Sequence, residues 1–176
     1  MSVTELKQAL PDHAKDIRLN LSSVLKTEGA PGLSQEQIYG TALASAYAAD
    51  NVAFARQVES LVAEQADEAT TNAAKAAASI MAMNNVYYRF LHLVEDEEYG
   101  RMPAKLRMNV IGRPGVDKTD FELYCLAVSA INGCGLCVQN HEKVLRQAGL
   151  GREAIQSAVR IAAVINAAAT TTRFAA

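Results

Sequence analysis

The sequence has few cysteines, no excess of basic residues and no long apolar runs, features that several protein classes require. Three cysteines in 176 residues is an odd and small number, which argues against a secreted framework of structural disulfides. Lysine and arginine (17) are slightly outnumbered by aspartate and glutamate (19), so the net charge is -2. That balance offers no basic surface to nucleic acid or to an anionic membrane. No apolar run reaches the roughly 20 residues that a membrane-spanning helix needs.

Runs of β-branched residues in period-two alternation are also absent, and the N-terminal segment MSVTELK is amphipathic rather than signal-like. Half of the residues are apolar and 20% are charged. This composition predicts a folded chain with a hydrophobic core rather than a disordered one. We therefore interpret the chain as a cytoplasmic protein with reduced thiols, folded as a single domain over 1–176.

What the sequence has in abundance is alanine, which favours an all-α fold. Residues 2–26 are predicted to form a short amphipathic pair interrupted at Pro11. Ser34, with Gln37 three residues later, has the pattern of a capping box that opens the next helix. Gly149 is a plausible C-terminal cap. Further helices are predicted from about 50 to 66, from 67 to 93, from about 118, from 134 to 149 and from 152 to 172, with an irregular connection from 95 to 115.

The second half of the chain echoes the first at a constant offset of 84 residues. Arg89-Phe90 matches Arg173-Phe174 at this offset. Alanine matches carry little weight in an alanine-rich chain, but the constant offset and the preserved order of helix lengths strengthen the pattern. We interpret it as two degenerate helical halves, about 34–93 and 118–176.

The chemistry is concentrated in the second half, where Cys134 and Cys137 are followed one helical turn later by His141. In a helix these positions share one face. Cys134 follows Asn132-Gly133 and so sits near a helix N-terminus, where amide N–H groups stabilise a thiolate. Cys137 lies four residues before His141, whose imidazole can accept a thiol proton. The helix dipole favours Cys134 as nucleophile and the base favours Cys137, so the residues alone leave both assignments open.

Under the offset of 84, the first half has no counterpart to this chemistry. The positions that match the two cysteines and the histidine are Asp50, Ala53 and Gln57.

Glu122 is the candidate third member of the site. It lies near the start of the helix that precedes the cysteines, and its carboxylate can orient His141 if the two helices pack together. By residue type alone, the more ordinary interpretation is a helix N-terminal charge beside Asp117 and Asp120.

Other interpretations compete with redox chemistry. Zinc is possible, but three ligands along one helix are unusual for a structural zinc site. Cys125 is expected to be a small core residue, and His13 and His92 to be surface or cap residues. The pair Asn84-Asn85 is a candidate for polar contact with a substrate or a neighbouring subunit.

The order Glu122, eleven residues, Cys134-x-x-Cys137, three residues, His141 resembles the E-x11-C-x-x-C-x3-H motif of the alkyl hydroperoxidase D (AhpD) family. That family belongs to the carboxymuconolactone decarboxylase-like superfamily. The resemblance covers nearly the whole chain. The flanking segments that carry it are FELY at 121–124, AVSAINGC at 127–134, MNNVYYR at 83–89 and LPDHAKDIRLNL at 10–21.

The resemblance implies an all-α helical bundle of two degenerate repeats, assembled as a homotrimer. It also implies an antioxidant thiol peroxidase that reduces alkyl hydroperoxides. In that activity Cys137 is the peroxidatic thiol that becomes a sulfenic acid, and Cys134 is the proton donor and resolving thiol. His141 is the base, and Glu122 orients it.

The resemblance further implies that no cofactor is bound. Electrons come from a lipoyl group on an acyltransferase, which lipoamide dehydrogenase recharges with NADH, and the family also regenerates the peroxiredoxin AhpC. One departure is Leu136, which stands where some members have a histidine next to the second cysteine, so a proton shuttle through that histidine is not carried over.

Two alternatives from other classes stay open. One is a disulfide-exchange reductase that serves a peroxiredoxin and has little peroxidase activity of its own. The other is a helical binding module whose thiols are incidental, which unperturbed thiols would favour.

Overall fold

The protein is all-α, as the sequence predicts. The computed structural model describes residues 1–174, which contain no β-strand, and none of their helices is long and apolar enough to cross a bilayer. A single 3₁₀ turn at Asp12–Ala14 separates the first two helices. The helices are α1 (Val3–Gln8), α2 (Lys15–Val24), α3 (Gln35–Ala48), α4 (Val52–Val62), α5 (Glu68–Val94), α6 (Glu97–Arg101), α7 (Asn109–Gly112), α8 (Lys118–Ile131), α9 (Gly135–Gln147) and α10 (Arg152–Phe174).

Local capping residues fix where the longer helices begin. The predicted capping box is present, since the Ser34 side chain accepts the Gln37 N–H and the Gln37 side chain accepts the Ser34 N–H. Asp67 caps α5 by accepting the N–H of Thr70 at 2.7 Å. These side chains satisfy amide groups that have no partner inside the helix, so the boundaries are set by short-range chemistry.

Two central helices form the middle of the core. Nine consecutive residues of α3 (38–46) and nine of α8 (121–129) are buried, which is the pattern of a helix surrounded on all sides. The two helices pack on each other, and α5 and α10 each pack against both. Gly40 allows this approach, because a Cβ at that position would overlap the hydroxyl of Tyr124 on α8.

The two halves match in helix order, and their equivalent arginines make equivalent contacts. Helices α3 to α5 have 14, 11 and 27 residues, and α8 to α10 have 14, 13 and 23. Arg89 donates to the carbonyl oxygen of Asn132, just beyond α8, at 2.7 Å. Arg173 donates to the carbonyl oxygens of Ala49 and Asp50, just beyond α3. An arginine of each half therefore hydrogen-bonds the chain just beyond a central helix of the other half.

At the α3–α4 and α8–α9 connections, equivalent residues of the two halves are 83 positions apart, one fewer than the expected offset of 84. Asn51 caps α4 as Cys134 caps α9, and these caps are 83 residues apart. Each cap follows one residue in the left-handed region, Asp50 (φ 51°) and Gly133 (φ 67°). The cap geometry, rather than letter matching, sets the alignment. The counterparts of Cys134, Cys137 and His141 are therefore Asn51, Phe54 and Val58, not Asp50, Ala53 and Gln57.

The connection after α5 is more structured than the sequence predicts, because it contains the short helices α6 and α7. Asp96 caps α6, and Arg101 pairs with Glu97 and Glu98 along it. The last helix also runs two residues past the predicted end at 172. Residues 175 and 176 lie outside the described residues, so a single domain over 1–176 stays a prediction.

Candidate active site

Cys134 and Cys137 are joined by a disulfide at the start of α9, with their Cα atoms 5.3 Å apart. Gly133 adopts a left-handed conformation (φ 67°) that ends α8 and turns the chain into α9, a conformation that glycine takes without strain. Cys134 is then the N-cap of α9, and its Sγ accepts a hydrogen bond from the N–H of Cys137 at 3.4 Å. The pair is sheltered, with Cys134 0% and Cys137 5% exposed.

His141, one helical turn after Cys137 on α9, meets Glu122 of α8. Nδ1 of His141 lies 2.7 Å from Oε2 of Glu122, and the two side chains are 12% and 6% exposed. The contact exists because α8 and α9 pack against each other, which places the fifth residue of α8 opposite the second turn of α9. An ionised carboxylate only accepts hydrogen bonds, so Nδ1 is the protonated nitrogen in this pair and Nε2 is the nitrogen left for proton transfer.

Met81 contacts the imidazole at its other nitrogen. Its Sδ lies 3.3 Å from Nε2 of His141, and the side chain is buried on the inner face of α5. No feature of the sequence motif indicated this contact. Only the position of Met81 on the buried stripe of α5 pointed to it.

The two asparagines of α5 have different surroundings. The Nδ2 of Asn85 donates to Oγ of Ser129 at 2.9 Å, and its Oδ1 accepts from Nδ2 of Asn132 at 2.9 Å. Asn85 is therefore committed to contacts within the chain rather than to a substrate or a neighbouring subunit. Asn84 is also buried, and its Oδ1 has no hydrogen-bond partner among the described residues.

The remaining cysteine and histidines stand apart from this site. Cys125 is completely buried in the core, and burial, with a smaller contribution from the charge of Glu122, raises the pKa of its thiol well above the usual range. His13 and His92 are exposed. Across residues 1–174, no group of three or more His, Cys, Asp or Glu side chains is arranged to hold a metal ion.

Taken together, the site offers a reversible two-electron couple with a proton acceptor next to it. Two thiols three residues apart interconvert with a disulfide, and a carboxylate-oriented imidazole one turn away can move the protons that this exchange requires. All four predicted residues lie at the contact between α8 and the start of α9.

The chain is similar to known proteins. Residues 97–176 match the model of the carboxymuconolactone decarboxylase family, and that stretch contains all four site residues. A protein of Rhizorhabdus wittichii named alkyl hydroperoxide reductase AhpD is 56% identical over 170 residues, covering 97% of this chain and 96% of the relative. Proteins of the same name are 57% identical in Coxiella burnetii, over 91% of this chain and 90% of the relative, and 54% identical in Streptomyces avermitilis, over 97% and 95%.

Proposed function

The chain belongs to the AhpD family of alkyl hydroperoxide reductases, and on that basis we propose that it reduces alkyl hydroperoxides through Cys134 and Cys137. The observation that carries the proposal is the disulfide at the start of α9, one helical turn from an imidazole that is hydrogen-bonded to a buried carboxylate. Neither a lone C-x-x-C nor a lone histidine supports it as strongly, because the reaction needs both electron pairs and protons to move.

In the first step His141 accepts the proton of the Cys137 thiol. The resulting thiolate attacks the distal oxygen of the hydroperoxide, the O–O bond breaks, and Cys137 becomes a sulfenic acid. The departing alkoxide takes a proton from the Cys134 thiol and leaves as an alcohol. Glu122 stabilises the imidazolium that forms on His141.

In the second step the Cys134 thiolate attacks the sulfenic sulfur. The S–O bond breaks, and the hydroxide takes the proton held on His141 and leaves as water. Overall, one hydroperoxide and two thiols give one alcohol, one water and one disulfide. The N-cap position of Cys134 supports its part, since the N–H of Cys137 and the helix dipole both stabilise a thiolate there.

The disulfide returns to two thiols by exchange with a dithiol, for which we propose a lipoyl group carried by an acyltransferase and recharged by lipoamide dehydrogenase. Attack on Cys137, the less buried of the two cysteines, releases Cys134 as a thiolate at a helix N-terminus, where it is a good leaving group. Regeneration of the peroxiredoxin AhpC, and a cytoplasmic setting that keeps thiols reduced, belong to the same proposal.

Self-association as a homotrimer is also part of the proposal. Large apolar side chains are exposed at the end of α5 and in the connection that follows it. They include Val86 (60% exposed), Phe90 (45%), Leu93 (70%) and Met102 (58%). Val86, Phe90 and Leu93 are four and three residues apart on α5 and so share one face of the helix, and exposed apolar side chains grouped in this way are typical of protein interfaces. Light scattering of the purified protein at three times the monomer mass supports the trimer, and monomer mass rejects it.

The direct test is consumption of cumene hydroperoxide by the purified protein with dihydrolipoamide as electron donor. Cys137→Ser should abolish turnover, and Cys134→Ser should trap a sulfenic acid or a mixed disulfide with the donor thiol. Cys125→Ala is the matched control, because it removes the one thiol outside the pair, and it should keep the parental rate. Parental turnover by Cys137→Ser would overturn the assignment.

The same assay separates the alternative function. A parent protein that leaves cumene hydroperoxide intact but reduces the disulfide of a peroxiredoxin is a disulfide-exchange reductase rather than a peroxidase.

A further inference from the structure

The short connection between α8 and α9 is held by side chains of α5. Arg89 donates from Nη1 to the carbonyl oxygen of Asn132 at 2.7 Å. Asn132 donates from Nδ2 to Oδ1 of Asn85 at 2.9 Å, and Asn85 donates in turn to Oγ of Ser129 at 2.9 Å. Three side-chain hydrogen bonds therefore tie one helix to the few residues that immediately precede Cys134.

A backbone hydrogen bond connects these contacts to Cys134. The N–H of Cys134 donates to the carbonyl oxygen of Ser129 at 3.1 Å, so the position of Cys134 follows that of the residues anchored by α5. Asn85 is 1% exposed and Ser129 0% exposed. Buried polar groups that are fully paired make a rigid network, because each alternative arrangement leaves a group without a partner.

We propose that Arg89, Asn85 and Asn132 are positioning residues that keep Cys134 within bonding reach of Cys137 in the reduced protein as well as in the oxidised one. The inference rests on the proposed function only in taking this pair as the working thiols. A disulfide forms only when the Cα and Cβ geometry is narrowly suitable. Holding the reduced pair near that geometry raises the probability that the two sulfurs meet, which is the general advantage of preorganisation.

The first half of the chain offers a built-in comparison. Arg173 holds the α3–α4 connection through the carbonyl oxygens of Ala49 and Asp50, as Arg89 holds the α8–α9 connection. The cap that follows in the first half is Asn51, which has no thiol. Loss of Arg173 therefore removes a similar structural contact without touching the redox pair.

The test is the equilibrium between the protein and dithiothreitol. The protein dithiol and oxidised dithiothreitol exchange two electrons and two protons to give the protein disulfide and reduced dithiothreitol, and quenched samples give the equilibrium constant. Arg89→Met should lower the constant for forming the protein disulfide about tenfold, a shift of about 30 mV towards a more oxidising potential. Arg89→Lys, which keeps one charged donor, should recover most of the loss, and Arg173→Met should keep the parental constant.

Equal equilibrium constants for Arg89→Met and Arg173→Met would overturn the inference, because the contact would then be merely structural. If Arg89→Met shows no cooperative thermal unfolding, Asn132→Ala is measured instead. It should lower the equilibrium constant for forming the protein disulfide by the same factor of about ten. An unchanged constant would overturn the inference. A parent protein whose pair never exchanges with dithiothreitol would overturn the proposed function and this inference together. If the parent exchanges with dithiothreitol and Arg89→Met has the parental equilibrium constant, only this inference is overturned.

Discussion

Replacing Glu122 by glutamine removes one charge from the site while keeping the size and shape of the side chain. Oε2 of Glu122 lies 2.7 Å from Nδ1 of His141, and with 6% and 12% exposure the two side chains are largely shielded from water. Glutamine still offers an oxygen to Nδ1–H. In the proposed mechanism the ring becomes positively charged when it takes the proton of Cys137, and glutamine does not stabilise that charge, so the reaction of the protein with a hydroperoxide should slow.

The size of the effect follows from the hydrogen bond that is weakened. A hydrogen bond to a charged group contributes about 1.5–3 kcal/mol, and each 1.36 kcal/mol in the barrier changes a rate about tenfold. The imidazolium exists only after the proton has moved, so the loss falls on the transition state and not on the resting protein. Because glutamine keeps a neutral hydrogen bond of about 0.5–1.5 kcal/mol, the net loss is about 1–1.5 kcal/mol, and we expect Glu122→Gln to react about 5 to 13 times more slowly.

The measurement is stopped-flow mixing of the reduced protein with excess cumene hydroperoxide, without an electron donor, following the loss of thiols. Asp120→Asn is the control, since Asp120 lies on the same helix but accepts a hydrogen bond from Nε2 of Gln37 at 2.7 Å and does not contact His141. It should react at the parental rate. A Glu122→Gln rate within twofold of the parent would refute the reasoning, and so would an equal slowing in Asp120→Asn.

Three further predictions concern the core and its charges. Burial raises the pKa of the Cys125 thiol, so iodoacetamide near pH 8 should label it only after denaturation, and labelling of the native reduced protein would contradict this. Gly40→Ala should lower the free energy of unfolding in urea by about 1–3 kcal/mol, because its Cβ overlaps the Tyr124 hydroxyl; Gly100→Ala, with open space around it, is the neutral control. Burial raises the pKa of the Asp120 carboxyl. The protonated carboxyl therefore contributes to folding stability at low pH, and this contribution is lost as the pH rises through the folded-state pKa. Asp120→Asn should therefore raise Tm near pH 7 but not near pH 3, and an equal gain at both would contradict the argument.

The helices could be predicted well from the sequence because their ends are local events. Ser34 and Gln37 lie three residues apart and cap α3 as predicted, and Gly149 ends α9 in a left-handed conformation (φ 94°). Such signals need no knowledge of the fold. The offset of 84 holds for Arg89 and Arg173 but is one residue too long at the caps Asn51 and Cys134, since letter matches at a fixed offset say nothing about which residue caps a helix.

The candidate site was predictable only in part. The spacing of Cys134, Cys137 and His141 places them together on any helix, but the reach of Glu122 depends on how α8 packs against α9. The contacts of Met81 and Asn85 were not predicted at all, because they join residues 60 and 44 positions apart. Residue type does not identify the partner of either side chain, so these contacts become visible only in the folded chain.

The central claim is that one hydroperoxide oxidises Cys134 and Cys137 to a disulfide. The measurement that tests it most directly is a peptide map of the reduced protein after one molar equivalent of cumene hydroperoxide. The account predicts one equivalent of alcohol, a disulfide between these two cysteines and an unmodified Cys125. Retention of all three thiols, or oxidation at Cys125 in place of the pair, would contradict it.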